Sequence, residues 1–164
     1  GIPLRIYGTI EDQGYFDTEI APSLGKSVQY GGHLQGADLT EAIARASVLL
    51  FTPLWDEPFG LAAIEAMACG LPIAAVENGA IREVAGDVAQ YAGADAGELA
   101  EALRAAIGIS RSAARELVER LFTLERMLEE YEGMYARAVD AVDSGFEVPS
   151  FAVFELPLTE YASL

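Results

Sequence analysis

Residues 55–74, WDEPFGLAAIEAMACGLPIA, decide the fold of this chain. The stretch follows an apolar run that ends at Pro53, and it contains the alanine-rich segment Phe59 to Ala68, which predicts a helix closed by Gly70. A buried strand followed directly by a helix is the unit of a parallel sheet, and open α/β sheets bind ligands at the carboxyl ends of their strands. The stretch therefore predicts both the fold class and the place of a binding site.

Short apolar runs alternate with helical segments from the first residues, which is typical of a parallel sheet with helices on both faces, and after Gly97 the pattern is helical only. The predicted strands are Leu4 to Tyr7, Val28 to Tyr30, Ser47 to Thr52, Ile73 to Val76 and Val88 to Tyr91. The predicted helices are Tyr15 to Ala21, Asp38 to Ala46, Phe59 to Ala68, Glu98 to Ile107, Ser110 to Leu121 and Thr123 to Val142. We expect an α/β Rossmann-like domain over residues 1–143, incomplete at its N-terminus, and an apolar tail over residues 144–164.

The composition excludes several classes of partner. The 164 residues include 26 acidic and 10 basic side chains, and the formal net charge of −16 repels nucleic acid and anionic membrane surfaces. No apolar run approaches the ~18 residues that span a bilayer. The single cysteine, Cys69, excludes an internal disulfide and a cysteine-cluster metal site. We therefore expect a cytoplasmic protein with no nucleic-acid partner and no membrane insertion.

The start of the predicted helix is suited to an anion or a sugar oxygen. Pro58 presets the first helical turn, and Gly60 carries no side chain, so a ligand can approach the unpaired amides of Gly60 and Leu61. Glu57 stands just before the helix, where an ordinary negative charge is also favourable. The sequence alone leaves both interpretations of Glu57 open.

Glu65 is the only charged residue within the predicted helix. A helix that is apolar on nearly all sides is normally buried, and a carboxylate within it is costly unless it meets hydrogen-bond donors. Two vicinal hydroxyls of a ribose would supply such donors. The alternatives are that Glu65 lies on a solvated face of the helix or pairs with an arginine such as Arg82.

The pattern E-P-F-G followed by E-A-M-A-C-G-x-P, with Glu57 and Glu65 eight positions apart, closely resembles the E-x7-E pattern of retaining GT-B glycosyltransferases of the group 1 family. The similarity extends over roughly residues 4–140 and matches the C-terminal, donor-binding domain of that family. The resemblance implies that Glu65 accepts hydrogen bonds from the nucleotide ribose. It also implies that Glu57 contacts hydroxyls of the donor sugar.

Two further groups of residues take a role from the same resemblance. The backbone amides expected to face the sugar and phosphate are those of Phe59, Gly60 and Leu61. The loop expected to line the nucleobase pocket is Gly32, His33 and Leu34, although His33 has an exposed loop position as its alternative. The resemblance thus predicts a nucleotide diphosphate sugar as the ligand.

Two departures from the family pattern bear on activity. The glycine pair that the family carries after the next strand appears here as Asn78-Gly79-Ala80, with the second glycine lost. The family's first strand, with the arginine and lysine that grip the pyrophosphate, and its N-terminal acceptor domain have no counterpart in these residues. We therefore expect the 164 residues to be inactive by themselves. The absent strand belongs in mid-sheet, where the tail segment Phe151 to Leu158 or a strand of a second copy in a homodimer would cover the gap.

The leading hypothesis is the donor-binding domain of a retaining glycosyltransferase that moves a hexose from a nucleotide diphosphate sugar to an acceptor. No metal or other cofactor is expected, because no Asp-x-Asp triplet or ligand cluster occurs. The alternative is a nucleotide-binding or interaction module of the same fold that has lost catalysis. A sugar-nucleotide epimerase is a third hypothesis, for which no second constellation of carboxylate and histidine is visible.

Overall fold

The computed structural model describes residues 1–143, so the tail over residues 144–164, including Phe151 to Leu158, lies outside the described residues. The chain divides into two compact units, one over residues 1–122 and a second from Thr123 onward. A new helix begins there, because the Thr123 hydroxyl oxygen accepts the Arg126 N–H at 3.2 Å.

The first unit contains five parallel strands, which form two sheets. The bounds of the strands are β1 (Leu4–Ile6), β2 (Val28–Tyr30), β3 (Leu49–Phe51), β4 (Ile73–Val76) and β5 (Ala89–Ala92). β1 pairs with β2, and β4 lies between β3 and β5 in the second sheet. The predicted α/β class, with parallel strands and flanking helices, is confirmed.

The strands fall into two sheets, and the break between them lies in mid-sheet, where the sequence analysis expects a gap. Within residues 1–143, no ladder joins β1 to β3. A doubly wound sheet has the strand order 3-2-1-4-5-6, and taking out its first strand leaves the groups 3-2 and 4-5-6. The observed groups, β2-β1 and β3-β4-β5, follow that pattern. The edges of β1 and β3 that face away from β2 and β4 therefore have no strand partner in the described part of the chain.

The helices follow the predicted order with shifted ends. Their bounds are α1 (Gln13–Tyr15), α2 (Gly36–Arg45), α3 (Leu61–Ala68), α4 (Ile81–Ala85), α5 (Ala96–Ala106), α6 (Arg111–Leu121) and α7 (Leu124–Asp143). α1 continues into a π-helical turn, Phe16–Ile20, and a 3-10 turn, Ala21–Ser23. The short α4 was not predicted, because five residues are too few to show a helical period. No helix in the described part of the chain is long and apolar enough to cross a bilayer.

The apolar side of α7 is exposed. The sequence predicts an apolar stripe through Tyr131, Met134, Tyr135 and Ala138, and such a stripe normally faces a core. In the structure these side chains are exposed, with Tyr135 at 64%. The helix itself is present, as predicted.

The core of the first unit lies around α3 and β4. Ala63, Ala66 and Met67 on one face of α3 are each exposed by 1% or less, and Ile73 of β4 and Ile81 of α4 belong to the same cluster. Small side chains allow α3 to come close to its neighbours, as packing at native density requires. One face of α3 is therefore fixed towards the core.

Arg111, the first residue of α6, forms hydrogen bonds with the carboxyl ends of two helices. Its guanidinium donates hydrogen bonds to the carbonyl oxygens of Ala46 at 2.8 Å, Ala44 at 3.1 Å and Cys69 at 3.2 Å. Carbonyls at a helix C-terminus carry partial negative charge and lack intrahelical partners, so a cation is favourable there. Arg111 thus joins the ends of α2 and α3 to α6.

We expect Arg111→Ala to lower the free energy of unfolding by roughly 1–2 kcal/mol, because three carbonyl oxygens lose a charged donor. Arg104→Ala is the matched control, since Arg104 is an exposed arginine of α5 whose side chain makes no hydrogen bond or ion pair with the described residues. Urea unfolding followed by circular dichroism measures both variants. Equal midpoints and slopes for the two variants would show that Arg111 has no such role.

Candidate functional site

The start of α3 leaves backbone amides open to a ligand. Gly60 precedes the helix in the left-handed region, with φ 82° and ψ 55°, and a Cβ there would lie 3.2 Å from the Phe51 ring. This conformation starts the helix at Leu61 rather than at the predicted Phe59. Among residues 1–143, the amides of Leu61 and Ala62 donate to no acceptor, as expected for a first helical turn. Both residues are exposed, so an anionic or sugar oxygen can approach these two N–H groups.

Glu65 lies one turn beyond Leu61 on the exposed face of α3. The prediction that it is a buried carboxylate is wrong, because α3 buries only the face that carries Ala63 and Ala66. The alternative of a solvated helix face is the observed one. Within the described residues the Glu65 side chain has no hydrogen-bond or ion-pair partner, and it does not pair with Arg82. Its carboxylate is therefore free to accept hydrogen bonds from a ligand on the same face as the open amides.

Glu57 lies at the start of α3 with both carboxylate oxygens engaged. Oε1 accepts the Gly60 N–H at 3.2 Å, and Oε2 accepts the indole N–H of Trp55 at 3.0 Å. The negative charge thus meets the positive end of the helix dipole. Phe59 next to it packs edge-on against Phe122, with ring centroids 6.0 Å apart. The sequence did not indicate Trp55 as a partner of Glu57, because a hydrogen bond two positions along a loop leaves no periodic pattern.

The predicted nucleobase loop belongs to the other sheet. Gly32 follows β2 with φ +75°, and its carbonyl oxygen accepts the Gly8 N–H at 3.0 Å. His33 is exposed, and its Nε2 lies 2.7 Å from the side-chain amide nitrogen of Gln35. Leu34 is half-buried. No hydrogen bond or ring contact within residues 1–143 joins this loop to the start of α3.

A cavity that the sequence did not indicate opens at the carboxyl end of β1. Its volume is about 400 Å³, and aromatic side chains line much of it. Phe16 packs edge-on against Tyr30 at 5.0 Å between centroids, and the Tyr30 hydroxyl donates to the Gly8 carbonyl oxygen at 2.6 Å. Glu11 and Asp12 stand at the same cavity, so their charges disfavour an anion there. A neutral ligand group suits this cavity better than a phosphate.

Arg82 is engaged away from α3. Its guanidinium donates two hydrogen bonds to the Glu77 carboxylate, with Nη2 2.6 Å from Oε2, and lies 4.2 Å from the centre of the Tyr91 ring. The hydrogen bonds from Arg82 lower the pKa of Glu77, whereas burial raises the pKa of the Tyr91 hydroxyl. In the described part of the chain, no three or more His, Cys, Asp or Glu side chains gather into a metal-binding group.

Comparison with known proteins gives a family match over most of the chain. The sequence model described as "Glycosyl transferases group 1" matches residues 2–120. The chain is 43% identical over 65 residues to the D-inositol 3-phosphate glycosyltransferase of Salinispora arenicola, covering 38% of this chain and 14% of that protein. It is 37% identical over 106 residues to the protein of the same name from Mycobacterium avium, covering 58% of this chain and 24% of that protein.

Solved structures show the same similarity in three dimensions. A glycosyltransferase involved in avilamycin A biosynthesis superposes with a TM-score of 0.73 and 25% identity, covering 84% of this chain and 44% of that one. The sucrose-phosphate synthase of Thermosynechococcus elongatus superposes with a TM-score of 0.70 and 26% identity, covering 84% of this chain and 39% of that one. The chain therefore spans less than half the length of each of these four proteins.

We expect Glu57→Ala to lower the free energy of unfolding by about 1 kcal/mol, because the Gly60 N–H loses its capping acceptor. Glu57→Gln should lose less, since an amide oxygen can still accept that N–H. Thermal and urea unfolding of the two variants measure the difference. Wild-type stability in Glu57→Ala would contradict a capping role.

Proposed function

Because the chain belongs to the group 1 glycosyl transferases, we propose that it is the donor-binding domain of a retaining GT-B enzyme. In this proposal, the complete enzyme moves a hexose from a nucleotide diphosphate sugar to an acceptor. The relatives named above support a transferase, while the donor and the stereochemical outcome belong to the proposal. The acceptor is set by polypeptide beyond the residues that match the family.

The observation that carries the proposal is the exposed face of α3. It combines two open backbone amides, at Leu61 and Ala62, with a carboxylate at Glu65 that has no partner among the described residues. A nucleotide diphosphate sugar presents the complementary groups, since its phosphate oxygens accept hydrogen bonds and its ribose hydroxyls donate them. A helix start of this kind thus supports binding of both ends of the ribose–phosphate unit.

We assign roles to the remaining residues from the resemblance of the sequence to the family and from their positions in the structure. The resemblance assigns the amides of Phe59, Gly60 and Leu61 to the sugar and the phosphate, and Glu65 to the ribose. The Gly60 N–H, expected from the sequence to be unpaired, instead donates to Glu57 Oε1, so the open amides of Leu61 and Ala62 take the phosphate oxygens in this proposal. Gly32, His33 and Leu34 border the nucleobase. The half-buried Leu34 and the left-handed Gly32 are compatible with a flat base lying against the loop after β2. That part of the assignment rests on the resemblance alone.

Glu57 orients the donor sugar in this proposal and does not act as a nucleophile. Two N–H donors, from Gly60 and Trp55, already hold its carboxylate at the start of α3. A fixed acceptor of this kind can hold sugar hydroxyls in one orientation, which contributes to catalysis through positioning. Departure of the nucleotide and attack by the acceptor then take place on the same face of the sugar, with the donor phosphate assisting.

Cations would stabilise the negative charge of the phosphate, but the arginines that contact α3 lie at its carboxyl end. Arg111 and Arg115 donate to the carbonyl oxygens of Cys69 and Ala68, at that end of the helix. Stabilisation of the departing phosphate would then rest on backbone amides and on polypeptide beyond these residues.

We propose that these 164 residues bind the donor but need the acceptor domain for transfer, and that the protein works in the cytoplasm. In a homodimer, a strand of the second copy would fill the gap between β1 and β3.

The same distribution of cations favours one alternative. A chain that kept the fold but lacked the arginine and lysine that bind the pyrophosphate would act as a nucleotide-binding or interaction module. Measured binding of a nucleotide sugar without turnover, even in the full-length protein, would favour that function over transfer.

Titration calorimetry of UDP, GDP and ADP into the chain tests the donor-binding proposal. We expect one of the three to bind and its affinity to fall about tenfold or more in Glu65→Ala, because charged hydrogen bonds to the ribose are lost. Glu101→Ala is the matched control, an exposed glutamate on α5. Failure of all three nucleotides to bind, or an equal loss in both variants, would refute the proposed site.

The expectation that no metal is needed stays a prediction. We expect the affinity for the bound nucleotide to be unchanged when EDTA replaces Mg²⁺ in the same titration. A loss of binding in EDTA that Mg²⁺ or Mn²⁺ restores would show that a metal takes part.

A further inference from the structure

The turn after β4 makes a very close backbone approach to the loop that carries Glu57. Gly79 lies in this turn with φ +57°. A Cβ built at Gly79 would stand 2.5 Å from the Glu57 nitrogen, closer still to the Glu57 carbonyl oxygen, and 3.0 Å from the Asp56 carbonyl carbon. The atoms in the way are backbone atoms, which a rotamer change cannot remove. The Glu57 loop can therefore occupy its place only when residue 79 is glycine.

A hydrogen bond holds the same contact together. The Ala80 N–H donates to the Glu57 carbonyl oxygen at 2.9 Å. The two loops follow β3 and β4, which are neighbouring parallel strands, so their carboxyl ends lie at the same edge of the sheet. The turn at Gly79 and Ala80 thus sets the position of the Glu57 backbone.

The position of the backbone in turn sets the position of the carboxylate. The Glu57 N–H also donates to the Trp55 carbonyl oxygen at 2.8 Å, which keeps the loop compact. From that backbone position the carboxylate reaches both the Gly60 N–H and the Trp55 indole. A Cβ at position 79 would have to push the loop by about 1 Å to reach an ordinary contact of ~3.5 Å. A displacement of that size would break or lengthen these two hydrogen bonds.

We infer that Gly79 is a positioning residue for Glu57, acting through the backbone contact and the Ala80 hydrogen bond. The consequence for the donor rests on the proposed function, in which Glu57 orients the sugar. A misplacement of about 1 Å in a positioned group can cost about 10²-fold in rate. The loss of the second glycine of the family pair, at Ala80, leaves this contact intact, because the N–H of Ala80 still donates.

Trp55 offers a direct readout, because it is the only tryptophan of the chain and its indole is bonded to Glu57. A ¹⁵N-labelled sample therefore gives a single indole N–H resonance in a two-dimensional NMR spectrum. In Gly79→Ala we expect this resonance to move towards its position in Glu57→Ala. Gly36→Ala is the matched control, since Gly36 has a similar φ of +54° but nothing within 4 Å of a Cβ. The control should leave the indole resonance in place.

A wild-type resonance in Gly79→Ala, or an equal movement in Gly36→Ala, would overturn the inference. Should Gly79→Ala fail to fold by circular dichroism, hydrogen exchange of the Ala80 amide in the wild-type chain decides the question. Slow exchange supports the bond to Glu57, and exchange at the rate of an unprotected amide contradicts it. These readouts need no nucleotide, so they are independent of the donor-binding proposal.

The consequence for the donor is measured separately. For the nucleotide that binds, the affinity of its glucose conjugate should fall about tenfold in Gly79→Ala, while the affinity of the nucleotide diphosphate itself stays unchanged, because Glu65 is untouched. Equal losses for the conjugate and the nucleotide would show a general disturbance of the fold instead of a displaced Glu57.

Discussion

The packing of one face of α3 is the constraint on which the candidate site depends. Ala63, Ala66 and Met67 are almost fully buried, and helix α3 packs against α6 as well as against β3 and β4. This burial fixes the rotation of α3 about its axis, because these side chains must face the core. The opposite face, with Leu61 and Glu65, must then face outward. The Glu65 carboxylate is therefore exposed, one turn beyond the open amides at the start of the helix.

Charge is distributed unevenly around this helix. Its carboxyl end receives two arginines from α6, whereas its amino end meets the carboxylate of Glu57. The acidic group therefore lies where a phosphate of the donor would also be attracted. The Gly60 N–H is bound to Glu57, so the open N–H groups at this end of the helix are those of Leu61 and Ala62. In a chain with 26 acidic and 10 basic residues, cations from other polypeptide would have the largest effect at this point.

The sequence predicted the features that arise from local patterns. It placed β2 and β4 to the residue, and it began helices at Ser110 and Thr123, which the structure shows to be caps whose hydroxyl oxygens accept amide N–H groups. The E-x7-E pattern led to the helix start that the structure shows to be open. Features that depend on distant neighbours could not be predicted. The burial of Glu65 was predicted wrongly, because α3 is apolar all round in sequence and only its packing partners decide which face is covered. The contact between Gly79 and Glu57 joins two loops from separate strands, so no periodicity indicates it.

The most direct test of the account follows the backbone amides of Leu61 and Ala62 during addition of the nucleotide diphosphate. A ¹⁵N-labelled sample would report each amide as a separate resonance. The account predicts saturable shifts of these two amides, with a common dissociation constant that rises about tenfold or more in Glu65→Ala. Saturable shifts confined to other parts of the chain, with Leu61 and Ala62 unmoved, would contradict the claim that α3 begins at a donor-binding site.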